Sequence, residues 1–155
     1  MRRSILLAAA IATAGFVLFG FAAPVNAGQA LTKKQFLKAA NATCKDAYRA
    51  IDAAFEEHIA DLGENAEPSA AQIEAGVASV VEILRAAAAE VKALVGPPAL
   101  ERKVKRFLDQ FRAVVAEFEA DPQAAFAEEL SGYPFAKPDR LARKIGLRSC
   151  AQRGD

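Results

Sequence analysis

The sequence predicts an all-α fold: a small up-down helical bundle with three long helices, one or two short C-terminal helices and one disulfide. Three observations predict it. Apolar residues recur at helical spacing along three long stretches. Helix caps and stops, among them Thr32, Ser69, "GPP" at 96–98 and Asp121-Pro122, punctuate those stretches. The chain has only 2 cysteines, one in the first stretch and one near the end. Tryptophan is absent and alanine abundant, which agrees with helix. No strand-like alternation and no internal repeat are present.

In chain order, residues 1–27 read as a secretory signal peptide. Arg2 and Arg3 form a positive start. An apolar, uncharged run of 19 residues follows at 5–23, then Pro24 and the small-residue triplet "VNA". Cleavage is expected after Ala27. The alternative is a retained anchor, because the run is close to the ~20 residues that span a bilayer. Pro24 and the V-x-A triplet favour cleavage, which leaves no transmembrane span. No cysteine stands at the cleavage site to carry a lipid. Residues 28–155 then form a single domain long enough for one core. Losing Arg2 and Arg3 leaves 18 basic residues of the original 20 against 19 acidic ones, so net charge is close to −1. Bulk charge therefore points to neither nucleic acid nor membrane.

The first helix opens at Thr32, with Gln35 completing a capping box and Leu31 and Phe36 a hydrophobic staple. It is expected to reach Leu62 and stop at Gly63. Leu37, Ala40, Cys44, Ala47, Tyr48, Ile51, Phe55, Ile59 and Leu62 form its apolar stripe. Ser69 and Gln72 repeat the capping box for a second helix. Its expected buried face carries Ile73, Val77, Val80, Val81, Leu84, Ala88, Val91, Leu94 and Val95. The prolines of "GPP" end that helix and start the third. Leu100, Val104, Phe107, Leu108, Phe111, Val114, Val115 and Phe118 line its inner face. Asp121-Pro122 opens a fourth, short helix with Phe126 and Leu130. After the irregular "SGYPFAKP", Pro138 opens a fifth with Leu141 and Ile145, and Gly146 and Leu147 form a Schellman stop.

Cys44 lies within the first helix's apolar stripe, and Cys150 follows the last helix stop. Two cysteines in an exported chain are expected to bond to each other. Two buried free thiols are the alternative. No C-x-x-C spacing marks a redox-active pair.

With "FLKAANATCKDA" (36–47), "VGPPAL" (95–100) and "ARKIGLRSC" (142–150), the chain resembles a broad group of small secreted helical proteins of actinobacteria. The resemblance covers most of residues 28–155 and rests on short motifs. It implies an exported bundle with a disulfide from first helix to tail, and neither an enzymatic activity nor an established ligand.

Catalytic and metal chemistry find little support. His58 is the only histidine, and a metal site needs three or four convergent ligands. There is no G-x-S-x-G and no phosphate loop. The adjacent pairs Glu56-Glu57 and Glu128-Glu129 point about 100° apart on a helix, which suits a solvated face. No catalytic residue, metal or resident cofactor is therefore expected.

Charge sorting stands out. Lys33, Lys34 and Lys38 begin the first helix, and Glu56 and Glu57 close it. Arg102, Lys103, Lys105 and Arg106 begin the third, and Glu117 and Glu119 close it. In an up-down bundle these two helices run parallel, so both basic starts fall at one pole. Arg140, Arg143 and Lys144 would join them if Cys44 and Cys150 bond. The expected function is non-catalytic contact of this pole with an anionic envelope polymer, a lipid headgroup or an acidic protein. The basic stretches lack interleaved aromatic residues, which disfavours nucleic acid. The alternative is a carrier of a small apolar ligand such as haem, in a cavity near Phe55, His58 and Phe107.

Overall fold

In the computed structural model, residues 30–59, 67–131 and 133–151 are described. The expected signal peptide, the expected stop at Leu62 and Gly63, and the side chains of His58 and Leu130 lie outside the description. Helix α1 spans Lys33–Ile59, α2 Ala70–Ala93, α3 Pro98–Ala120, α4 Pro122–Ser131 and α5 Ala136–Ile145. A 3₁₀ turn, Arg148–Cys150, follows α5 near the end of the described residues. No strand occurs among the described residues.

Local chemistry sets the helix ends. The Thr32 hydroxyl accepts from the Gln35 amide at 3.3 Å, and the Gln35 side chain accepts from the Thr32 amide at 3.0 Å. Ser69 and Gln72 repeat this reciprocal cap on α2, satisfying amides that have no partner within the helix. The Asp121 carboxylate accepts from the Ala124 amide at 3.0 Å and starts α4. At the end of α5 the Leu147 amide reaches the Ala142 carbonyl at 2.9 Å, and the Gly146 amide reaches Arg143 at 3.1 Å. These are the two bonds of a Schellman stop, and Gly146 adopts the φ of +98° it requires.

The expected start of α5 needs correction. The helix begins at Ala136, two residues before Pro138. Proline fits this third position because first-turn amides lack helical partners anyway.

Helix α1 packs on α2, α2 on α3, and α3 on α5, while the tail turn returns to α1. The arrangement is a ring of four helices sealed by residues 146–151, with α4 lying across α2. Its directions follow from contacts at the ends. The Leu31 amide donates to the Val95 carbonyl at 2.8 Å, which sets α1 antiparallel to α2. Gln123 donates to the Ala70 carbonyl at 3.1 Å and Arg85 pairs with Glu119, which sets α3 antiparallel to α2.

Phe36, Ala40, Cys44, Ile51, Val81, Leu84, Val91, Val104, Phe107, Phe111 and Val115 form the centre of the core. Among the described residues the expected stripes are buried or half-buried, with two exceptions. Val95 is 57% exposed, because α2 ends at Ala93 and the helical face does not continue to it. Phe55 is 39% exposed, and it lies beyond Tyr48, the last α1 residue that a hydrogen bond joins to the tail among the described residues. At the α2–α3 turn, a Cβ on Gly96 would stand 2.8 Å from the Phe36 ring. The absence of a side chain there lets the turn close over Phe36.

Candidate functional site

The contact of Leu31 with Val95 puts the start of α1, the end of α2 and the start of α3 at one pole. Lys33, Lys34 and Lys38 on α1 and Arg102, Lys103, Lys105 and Arg106 on α3 are therefore at the same end, and all are exposed. Leu37 packs over Gly146, so the end of α5 reaches this half as well. Arg143 and Lys144 lie in its last turn, and Arg140 one turn earlier.

These cations differ in how local forces account for them. Arg143 and Lys144 stand at a helix C-terminus, where the macrodipole favours positive charge. Lys105 is bonded to Asp109 at 2.8 Å, an i,i+4 pair on α3. Lys33 and Lys34 are the first two residues of α1, where the dipole disfavours cations by about 0.3–1 kcal/mol each, and Arg102 and Lys103 lie just past the first turn of α3. The first turn of α1 carries no acid, and that of α3 carries only Glu101. Helix stability does not explain these residues.

The tail is bound to α1 by one covalent bond and several polar ones. Cys44 and Cys150 form the disulfide, with sulfurs 1.98 Å apart and Cα atoms 5.0 Å apart. Asn41 donates to the Gly146 carbonyl at 3.1 Å and accepts from the Ser149 amide at 2.7 Å. The Tyr48 hydroxyl donates to the Cys150 carbonyl at 3.2 Å. Burial, and secondarily the Asp139 carboxylate, push the Tyr48 phenol above its ordinary value. Asp139 is 1% exposed and accepts a hydrogen bond from Tyr133.

Asn41 was not among the expected contacts, although a polar residue within the apolar stripe of α1 marks it. Phe135 carries no such mark, since it lies in the irregular connection before α5. Its ring stands 5.5 Å from those of both Phe111 and Phe118 and joins α5 to α3.

Of the residues around which the apolar-carrier expectation placed a cavity, Phe55 and Phe107 are described and the His58 side chain is not. Phe107 is in the core, Phe55 faces outward, and the pocket against Phe107, Phe111 and the disulfide measures about 20 Å³. That is room for about one water molecule. A larger groove of about 720 Å³ borders the core at the basic pole, between the end of α2 and the flank of α3. Leu94, Val95, Leu100, Val104 and Leu108 contribute apolar surface to it, and Lys92, Lys105 and Arg112 contribute charge. Among the described residues no cluster of three or more metal-ligating side chains occurs, and no helix is long and apolar enough to cross a membrane.

No protein-family model matches the chain, and neither a curated protein nor a solved structure matches it.

Proposed function

We propose that the chain is a non-catalytic, exported helical protein that contacts an anionic component of the cell envelope through its basic pole. The carrying observation is the convergence of Lys33, Lys34 and Lys38 with Arg102, Lys103 and Arg106 at one end of the bundle. These cations are exposed, and those closest to the helix N-termini oppose the local dipoles. A nearly neutral chain with a cluster of exposed cations at one end can attract polyanions there without being basic overall. The disulfide supports export, since such bonds persist in oxidising compartments.

Sedimentation with envelope fractions at low and high salt tests this reading. Binding is expected at low salt and should fall steeply as the Debye length shrinks to about 10 Å at 0.1 M. Charge reversal by Arg102→Glu, Lys103→Glu and Arg106→Glu together should abolish it. Absence of binding at low salt, or binding indifferent to the triple variant, would refute the proposal.

A further inference from the structure

We infer that the groove between α2 and α3 is a binding site for a single-chain anionic amphiphile, a long-chain fatty-acid anion. This inference deepens the reading of the pole as anion-facing and rests on it. At about 720 Å³ the groove falls within the roughly 300–1,000 Å³ of small-molecule sites. The core residues Leu100, Val104 and Leu108, all buried, form its floor, and Leu94 and Val95 at the end of α2 supply its more exposed apolar surface. Val95, one of two large hydrophobic residues exposed among the described residues, lines it. An exposed apolar side chain in a concave site lowers free energy when a hydrocarbon chain covers it.

The charge on the groove selects the head. Lys105 is occupied by Asp109 at 2.8 Å. Lys92 and Arg112 carry no ion pair among the described residues, while Glu101 supplies one carboxylate. Setting the Lys105–Asp109 pair aside, Lys92 and Arg112 against Glu101 leave one excess positive charge. That matches one carboxylate on an apolar chain. The α3 wall from Pro98 to Arg112 is about 21 Å long at 1.5 Å per residue, so the site is elongated. An elongated apolar trough with cationic side chains along its walls fits an extended acyl chain better than a flat ring system.

The test uses the full chain, produced by export so that its disulfide forms. Fluorescent cis-parinarate is the probe, displaced by palmitate or by its neutral methyl ester. Palmitate should displace the probe, and the ester should do so at least about tenfold less well. Val95→Gln, at an exposed position that leaves net charge unchanged, should weaken palmitate binding about tenfold. Lys92→Gln combined with Arg112→Gln should erase the preference for acid over ester while the melting temperature stays within a degree or so. Failure of palmitate to displace the probe, equal displacement by ester and acid, or unchanged affinity in Val95→Gln would each overturn the inference. So would a lipid-free wild-type dimer that Val95→Gln dissociates, since the groove would then be an interface between copies. The pole is judged separately by salt-sensitive envelope sedimentation. If sedimentation persists in wild type and in Val95→Gln but palmitate does not bind, the groove inference fails and the pole reading survives.

Discussion

The side chain of Asn41 meets the backbone of Gly146 at 3.1 Å, although the two residues lie 105 positions apart in the chain. The same amide accepts from Ser149 at 2.7 Å, so one helical side chain satisfies two polar groups of the tail. The α5 stop and this contact meet at Gly146, which carries both the left-handed turn and the carbonyl that accepts from Asn41.

Asn41→Ala removes both bonds and leaves a tail amide and a carbonyl without their partner. The expected loss is about 1–3 kcal/mol, measured by urea denaturation at neutral pH. Hydrogen exchange should localise the effect, with the Ser149 amide becoming much faster than in wild type. Unchanged exchange there would show that the tail is held without Asn41.

The disulfide closes a loop across a sequence separation of 106 residues. In the chain-entropy treatment, a loop of this size restricts the unfolded ensemble by about 4–5 kcal/mol. Cys44→Ala, or reduction of the native protein, should therefore lower the melting temperature by about 10–20 °C. Calorimetry with and without reductant measures this. Coincident transitions would show that the bond contributes little to stability.

Phe135 is 3% exposed and lies between the rings of Phe111 and Phe118 on α3. Phe135→Ala should cost about 3–5 kcal/mol, the range for deleting a large buried aromatic side chain. Phe126→Ala is the comparison, because Phe126 is only half-buried on α4, and it should cost less. Equal losses in chemical denaturation would remove Phe135 from its place as the link between α5 and α3.

Tyr48 makes stability depend on pH at the alkaline end. Its phenol is raised in the folded protein by burial first and by Asp139 second. The folded state then retains a proton that the unfolded chain releases near pH 10, the ordinary tyrosine value. The contribution is full below about pH 10 and is lost as pH rises toward the folded value. Tyr48→Phe should flatten the alkaline limb of a stability-against-pH curve, while lowering stability at neutral pH by the loss of its bond to Cys150. An alkaline limb of unchanged slope would exclude Tyr48 as its source.

Much of the fold was legible because its signals are local. The pairs Thr32–Gln35 and Ser69–Gln72 lie within one helical turn, and the stop at Gly146 uses residues within five positions. Hydrophobic period gave the inner faces of α2 and α3, apart from Val95 beyond the end of α2. The candidate site was legible in part, as two runs of cations whose shared pole follows from the order of antiparallel helices. Lys92 and Arg112 went unnoticed, since each is an ordinary exposed residue until α2 and α3 form a groove between them.

By itself the sequence determined where α1 to α4 begin and where α5 stops, which faces are apolar, and which two sulfurs are available to bond. Only the tertiary structure decided that Phe135 reaches α3, that Asn41 holds the tail, and that the larger opening lies at the pole while the pocket beside Phe107 stays water-sized. The physical reason is range. Backbone hydrogen bonds and helical periodicity act within a few residues, whereas a groove or a buried polar contact exists only once distant surfaces are packed together.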